Sequence, residues 1–426
     1  MNRLLQVSVF AGVTLILFAK APHLYLRPPL AYEDGRDLFS FYFEHREPES
    51  ILRSYNGYVS LVPNLAGYCA AWMPLRFLPR TYSFCALFFN SLALGLFCTN
   101  RFRPIVPSDA ARAAVCLFLA IMPLGDYAVL TTAMYSLWPL LLTLLLMLLV
   151  PFGGNGALRV GIVVGLSLCV CSHPLSIVAM PVLVFNCWRH SAWRERSMNI
   201  ALLGVTAVYL AFGTSPRASP DWPASLRSTG AIALERVYLE SVVGALRRLA
   251  WHGGGHPPWL NICLGATCLA LYCAILLVVR SRVDRQLLAP ILILNYLIWA
   301  LTVGSVLGRG LTDSTLLEHY FPTRYTFIQE FCWLLALSMT AVRLAPQCIV
   351  TPTVRRLATA AIFAFATTLS VENRVLWEYD VGGMAGNEVR EFMRQVEWVQ
   401  RNVPASARPI ELALERDIWS VRIGVR

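Results

Sequence analysis

The sequence predicts an all-α, polytopic membrane protein, and composition is the first observation behind that prediction. Hydrophobic residues make up 57% of the 426 residues and charged residues only 14%, and the mean hydropathy is +0.56. A soluble domain carries roughly 25% charged residues. The composition therefore excludes an ordinary soluble protein and indicates a chain largely embedded in a membrane.

The second observation is a series of apolar segments spread along the chain. They lie near residues 4–21, 82–99, 110–125, 134–150, 157–171, 175–188, 198–213, 259–279, 287–305, 326–342 and 357–371. Several are shorter than the roughly 20 residues that cross a bilayer, so their boundaries are approximate. We expect about eleven transmembrane helices, and we expect the first to be retained because no Ala-x-Ala exit follows it.

The third observation is the distribution of the arginines. Threading the segments alternately from a cytoplasmic N-terminus puts nearly every basic cluster on one side, as the positive-inside rule requires. Those clusters are Arg101/Arg103/Arg112, Arg159, Arg189/Arg194/Arg196, Arg280/Arg282/Arg285 and Arg343/Arg355/Arg356. The net charge of +11 thus belongs to short cytoplasmic loops and does not indicate nucleic acid. We expect a multi-pass membrane protein whose N-terminus is cytoplasmic and whose C-terminus is external.

The same threading assigns the longer connections to the outer face. It predicts a transmembrane domain over residues 1–371, with a first external loop over 22–81, and a small external C-terminal segment over 372–426. Within the first loop, the apolar run 59–79 is expected to be an interfacial amphipathic helix, with a crossing helix as the alternative. In the tail, helical spacing over 388–400 and a short strand after Pro409 are predicted.

An acidic pair, Glu33-Asp34, follows the first apolar segment by about a dozen residues. Carboxylates are scarce here, with Asp+Glu 25 against Lys+Arg 36, so two adjacent ones at the mouth of a helix indicate a catalytic base at the membrane–water boundary. The alternative is structural, because an Asp ahead of a helix commonly caps it, here the stretch 36–45.

The acidic pair is part of a longer sequence motif that resembles a motif of known proteins. Tyr32-Glu33-Asp34-Gly35 is followed by Tyr55-Asn-Gly-Tyr58 and Pro63, a pattern that resembles bacterial proteins with Trp-Glu-Asp-Gly and Tyr-x-Gly-Tyr-Leu-x-x-x-Pro. The order of elements resembles the GT-C superfamily of membrane glycosyltransferases, which use polyprenyl-phosphate sugars. This chain departs from the pattern in having Tyr32 in place of Trp and Asn64 in place of Arg, and the second departure removes an expected headgroup contact.

The resemblance implies a function and a set of site residues. It implies a GT-C-like bundle in the bacterial inner membrane, with a periplasmic or extracellular C-terminus. This bundle would move a sugar, with inversion, from a polyprenyl-phosphate donor to a glycan, lipid or protein acceptor on the outer face. Asp34 is then the expected base, with Glu33 close behind, and Tyr55 and Tyr58 belong to the substrate region. Such transfer needs a carboxylate to take the acceptor proton and cations for the leaving phosphate. No cofactor is expected.

Five further residues on the outer side are candidates for substrate binding. Asp126 could bind acceptor, with a solvated turn as the alternative, and no ligand spacing beside it supports a metal. Arg324 presents a planar fork suited to the lipid phosphate, helped by His319 or Tyr325; interfacial anchoring is the alternative. His173 could face the same cavity or serve a structural role.

Two other functional classes stay open at this point. A transporter of lipid-linked sugars would place ionisable residues in mid-span and show repeated halves, and mid-span charges are nearly absent from this sequence. A non-catalytic protein of envelope assembly would tolerate loss of the acidic pair.

Overall fold

The computed structural model describes most of the first three quarters of the chain and short pieces of the remainder. The described residues are 3–26, 28, 34–122, 124, 127–154, 156–214, 228–241, 258–278, 285–309, 325–348, 363–364, 367–368, 394–395, 398–399, 402, 410–415 and 419–423. The structural statements below concern these residues.

The described chain is almost entirely helical, which confirms the all-α prediction. Its helices are α1 (Arg3–Lys20), α2 (Pro22–Leu26), α3 (Phe41–Glu44), α4 (Leu61–Ala70), α5 (Leu78–Gly95), α6 (Asp109–Ile121), α7 (Tyr127–Thr131), α8 (Leu137–Met147), α9 (Gly156–Val170), α10 (Met180–Arg189), α11 (Trp193–Phe212), α12 (Pro258–Val278), α13 (Arg285–Arg309) and α14 (Phe327–Cys348). Two small antiparallel hairpins pair β1 (Ser54–Tyr55) with β2 (Tyr58–Val59) and β3 (Ile410–Glu415) with β4 (Trp419–Ile423).

The apolar segments of the sequence coincide with these helices, but the number of spans is only partly supported. Four described helices are long and apolar enough to cross a membrane: Arg3–Lys20, Leu78–Cys98, Leu260–Leu277 and Leu287–Leu307. Shorter apolar helices cover Met134–Met147, Gly156–Val170, Pro174–Arg189 and Phe327–Val342. The segment 357–371 lies outside the described residues except for 363–364 and 367–368, which are helical. These apolar helices are those of a membrane protein, and the count of about eleven stays a prediction.

Helix α8 lies at the centre of the hydrophobic core. Its sequence is apolar on every face, and its residues from Leu137 to Met147 are buried apart from Thr143. A helix that is hydrophobic all round has to be buried among other helices. Helices α5, α9 and α14 pack against it. The residues just before and just after α8 lie at opposite ends of the bundle.

The carboxyl-terminal end of α8 meets several basic loops. Arg101 donates hydrogen bonds to the carbonyl oxygens of Met147, Val150 and Phe152, and the Glu195 carboxylate accepts the N–H groups of Phe152 and Gly153 at 2.6 and 3.0 Å. We call residues 101, 147–159 and 189–196 the arginine-rich end. Three of the basic loops predicted to share one side of the membrane therefore share one end of the bundle.

The first loop is fastened to the opposite end of the same helices. Val59 donates its N–H to the Gly213 carbonyl just after α11, and Leu61 donates to the Cys171 carbonyl just after α9. The Tyr209 hydroxyl donates to the Val59 carbonyl at 2.8 Å. Helices α9 and α11 thus both run from the arginine-rich end towards the first loop.

The run 59–79, which was predicted to be interfacial, contains a helix that is shorter than expected. Helix α4 spans ten residues, 61–70, which is too short to cross a bilayer of roughly 30 Å. Asn64, which replaces the arginine of the motif, uses its side-chain amide to bind the Ile51 and Arg53 carbonyl oxygens. Asn64 therefore holds the loop together instead of contacting a headgroup.

The described pieces of the tail pack against the first loop, as expected from its small size. Strand β4 contacts the π-helical segment Asp34–Ser40, and Val399 lies in one cluster with Leu38 and Phe39. Strand β3 begins at Ile410, which confirms the strand predicted after Pro409. The predicted helix 388–400 is helical at its described residues, 394–395 and 398–399.

Candidate functional site

A cavity of about 410 Å³ lies where the first loop meets the ends of α9, α13 and α14. It contains three of the residues predicted from the sequence to contact substrate: Tyr58, His173 and Tyr325. The described residues that line it are Asn56, Tyr58, Tyr135, Leu137, Trp138, His173, Pro174, Leu175, Gly304, Ser305 and Tyr325. We call it the aromatic cavity, because five of these side chains carry aromatic rings.

The β1–β2 hairpin brings Asn56 and Tyr58 to the cavity. Asn56 and Gly57 both have positive φ, 49° and 83°, the conformation that a two-residue type I′ turn requires. Asparagine and glycine tolerate it best. Tyr58 then forms a bridge to Thr214 after α11, which fixes the hairpin over the bundle. Asn-Gly between two tyrosines is a strong hairpin signal, so this turn could have been found from the sequence.

His173 forms the floor between α9 and the following 3₁₀ turn. Its Nδ1 accepts the N–H of Leu175 at 3.0 Å, so the proton of the neutral ring is on Nε2. Burial lowers the pKa of His173 to about 3, because an imidazolium would be poorly solvated there. At neutral pH, His173 therefore offers a neutral N–H donor and no charge that could bind a phosphate.

Trp138, near the start of α8, joins the other rings. Its ring lies 4.5 Å from the His173 ring at 61° and 5.5 Å from the Tyr325 ring at 87°, both edge-to-face arrangements that aromatic quadrupoles favour. Sequence reasoning missed Trp138 because it lies inside an apolar run. A tryptophan at the outer end of a predicted span was the available signal.

Two serines beside these rings have hydroxyls without a partner among the described residues. Ser305 lines the cavity from α13 and is 5% exposed, and Ser136 lies between the lining residues Tyr135 and Leu137. Buried hydroxyls are normally hydrogen-bonded to protein or water. The cavity wall thus combines ring faces with polar groups available for a ligand.

Asp34 lies directly behind this wall. It is 3% exposed, and its Oδ2 and Oδ1 accept the N–H groups of Ala133 and Met134, both at 2.8 Å. The next residue, Tyr135, lines the cavity. The hydrogen bonds from Ala133 and Met134 show that Asp34 caps the 3₁₀ turn Met134–Ser136 ahead of α8.

A second carboxylate of the first loop, Asp37, was not singled out from the sequence. It is 6% exposed, and its Oδ1 lies 4.0 Å from Nη2 of Arg53. The Arg53 guanidinium also lies over the Phe41 ring, 3.8 Å from its centroid. Asp37 therefore belongs to the packing of the first loop.

The remaining predicted residues are separate from the cavity or outside the described structure. Tyr55 packs against the cluster around Leu38 and Phe39 and is absent from the described lining. Glu33, Asp126, His319 and Arg324 lie outside the described residues. Among the residues that are described, no group of three or more His, Cys, Asp or Glu could hold a metal ion.

Comparisons with known proteins add nothing to this geometry, since no family model, curated protein or solved structure matches the chain.

Proposed function

We propose that the chain is a membrane glycosyltransferase with a GT-C-like bundle of about eleven spans. It would move a sugar from a polyprenyl-phosphate donor to a glycan, lipid or protein acceptor at the outer face of the bacterial inner membrane. The observation that supports this most is the meeting of Tyr58, His173 and Tyr325 around Trp138 in one cavity, with the Asp34 carboxylate behind its wall.

The lining has the chemistry of a site for a sugar ring. Aromatic rings offer broad apolar faces with a fixed shape, and a few convergent polar groups orient a ligand in a mostly apolar pocket. The Ser305 hydroxyl and the Nε2–H of neutral His173 are such groups. We assign the aromatic cavity to the sugar of the donor.

In the proposed reaction, the acceptor hydroxyl attacks the anomeric carbon from the face opposite the phosphate. The bond from that carbon to the phosphate oxygen breaks, the lipid phosphate leaves with the bonding electrons, and the configuration inverts. Asp34 takes the proton of the acceptor, with Glu33 as the second candidate. The N–H bonds from Ala133 and Met134 fix the orientation of the carboxylate, and a carboxylate oxygen can accept more than one hydrogen bond.

The leaving phosphate needs cationic partners, which the neutral His173 does not supply. We assign this role to Arg324, which directly precedes the cavity residue Tyr325 in sequence, with His319 as its helper. A guanidinium matches phosphate oxygens in a bidentate fork. Asp126 is proposed to contact the acceptor.

The test uses two matched variants that remove one negative charge each, Asp34→Asn and Glu195→Gln. In both, a carboxylate that accepts two successive backbone N–H groups becomes an amide with one accepting oxygen, so both should lose about 1–3 kcal/mol of stability. Loss of a general base lowers turnover by about 10²–10⁴-fold, and only Asp34→Asn should show it. Turnover is measured as release of polyprenyl phosphate, and stability as the midpoint of thermal unfolding in detergent.

If the two variants lose turnover equally, Asp34 is a structural cap and the assignment of the base is wrong. A dead Glu33→Gln beside an active Asp34→Asn would move the base to Glu33 and leave the reaction class unchanged.

A further inference from the structure

At the arginine-rich end, a groove of about 610 Å³ runs between α9 and α11. The described residues that line it are Gly156, Arg159, Val160, Val163, Val164, Arg194, Ser197, Met198 and Ala201. The two arginines lie near the starts of the two helices, and the apolar residues follow over the next two turns. The groove is therefore cationic at its mouth and apolar along its length.

The two arginines have donor capacity left for an anion. Arg159 donates through Nε to the Gly153 carbonyl at 3.2 Å, and the described residues provide no partner for its two NH₂ groups. Arg194 is exposed and has no side-chain hydrogen bond within the described residues. Among the described residues, Glu195 makes no ion pair with either arginine, and its oxygens accept the N–H groups of Phe152 and Gly153.

The surroundings of the groove identify the medium that it faces. Val160 and Val164 of α9 are 65% and 55% exposed, and Ile200 and Val208 of α11 are 51% and 59% exposed. Apolar residues exposed on apolar helices face hydrocarbon in a membrane protein. Arginines at helix ends reach the headgroup layer. An occupant must therefore have an anionic head and an apolar tail.

The position of the groove separates it from the aromatic cavity. Helix α9 begins at Gly156, in the groove, and ends at Val170, three residues before His173 of the cavity. Its 15 residues span roughly 22 Å at 1.5 Å each. A lipid whose head occupied the cavity could not place its phosphate at Arg159. The groove therefore belongs to a different lipid in the opposite leaflet.

We propose that this groove binds an anionic phospholipid, with the phosphate between Arg159 and Arg194 and an acyl chain along Val160, Val163 and Ala201. The proposal is independent of the reaction assigned to the aromatic cavity, because it rests on the charge and shape of the other end of the bundle.

The test measures lipid binding to the purified, delipidated full-length chain in a neutral detergent. Phosphatidylglycerol and phosphatidylcholine with identical acyl chains are titrated in turn, and bound lipid is counted by native mass spectrometry. The unaltered chain should bind phosphatidylglycerol more tightly. Each basic residue near a membrane surface increases the affinity for an anionic lipid about fivefold. The double variant Arg159→Gln with Arg194→Gln should therefore weaken the binding of phosphatidylglycerol roughly thirtyfold.

The matched control is Arg103→Gln with Arg189→Gln, which removes the same charge from two exposed arginines outside the groove lining. It should retain binding to within about twofold. An equal loss in both pairs would show a general surface attraction and overturn the site, as would equal binding of the two lipids by the unaltered chain.

A second pair of variants leaves the charges in place and keeps the proposal testable if the arginine variants fold poorly. Ala201→Phe fills the groove, whereas Ile200→Phe enlarges a neighbouring exposed side chain outside the lining. Only Ala201→Phe should weaken the binding of phosphatidylglycerol. Undiminished binding by Ala201→Phe would show that no acyl chain occupies the groove, and it would overturn the proposal.

Discussion

Two buried carboxylates, Asp34 and Glu195, make the same contact at opposite ends of α8. Asp34 accepts the N–H groups of Ala133 and Met134 ahead of the helix, and Glu195 accepts those of Phe152 and Gly153 beyond it. Both therefore satisfy backbone donors that would be costly to bury unpaired. The contact alone does not indicate catalysis, because both carboxylates make it.

What differs is the neighbourhood of each carboxylate. Asp34 adjoins a cavity of aromatic rings and neutral polar groups, whereas Glu195 lies among arginines that hold loops in place. A cavity with polar groups can bind and orient a ligand. Basic loops at a helix end anchor a bundle at the headgroup layer. The aromatic cavity beside Asp34 is therefore the candidate reaction site, whereas Glu195 has a structural role. Variants of residues in and outside the aromatic cavity test this difference.

Among substitutions in the cavity lining, the largest effect is expected from filling the aromatic cavity. The Cβ of Gly304→Leu would lie 2.7 Å from Cδ2 of Leu175, which can move because it is the end of a flexible side chain. The new side chain would displace the sugar, and misplacement by about 1 Å can lower rates by roughly 10²-fold. Release of polyprenyl phosphate at a fixed donor concentration checks this expectation.

The control for this substitution is Gly165→Leu on α9, where a Cβ would meet no atom within 4 Å. It should leave the rate unchanged. Normal turnover in Gly304→Leu, with the protein folded, would place the sugar outside the aromatic cavity.

A smaller effect is expected from removing a single ring. Trp138→Leu takes away the ring that contacts both His173 and Tyr325. Aromatic contacts contribute about 0.5–1.5 kcal/mol, so the donor KM should rise roughly two- to tenfold. Trp188→Leu changes a tryptophan that is 80% exposed on α10 and should leave the KM unaltered. Equal donor KM values for the two variants would contradict the assignment of the sugar to Trp138.

The smallest effect concerns stability and pH. Burial lowers the pKa of His173 to about 3 from an ordinary value of 6.5, so the unfolded chain binds more protons between these values. Stability should therefore fall as the pH drops below 6.5, by about 1 kcal/mol at pH 5.5. His173→Asn keeps an acceptor for the Leu175 N–H and should show a weaker loss. Unfolding midpoints at pH 7.5 and 5.5 measure the difference, and identical pH dependence would contradict burial of a neutral ring.

The positions of the helices could be read from the sequence because hydrophobic runs have to be buried or face lipid. The segments near 4–21, 157–171 and 259–279 differ from α1, α9 and α12 by only one residue at each end. Crossing lengths were less predictable, since α8 has 11 residues and α4 has ten. The length of a short helix that is surrounded by protein does not indicate whether the segment crosses the bilayer.

Part of the site could also be predicted from the sequence, because hydropathy distinguishes loop residues from apolar helices. Tyr58, His173 and Tyr325 were polar or amphipathic residues in predicted outer loops, and such residues stand out in an apolar sequence. Trp138 and Ser305 lie within apolar helices, where a ring or a hydroxyl is indistinguishable from packing until the tertiary structure is known. The hydrogen bonds from Ala133 and Met134 to Asp34 connect residues about a hundred positions apart. A local sequence pattern cannot predict a contact between residues so far apart in the chain.

The proposed transferase activity is tested most directly by offering the purified, unaltered chain a panel of polyprenyl-phosphate sugars with acceptors. We expect that at least one donor releases polyprenyl phosphate, that sugar appears on the acceptor in equal amount, and that the anomeric configuration is inverted. Absence of release from every donor, together with movement of intact sugar lipid across the bilayer of proteoliposomes, would contradict a glycosyltransferase and identify a transporter.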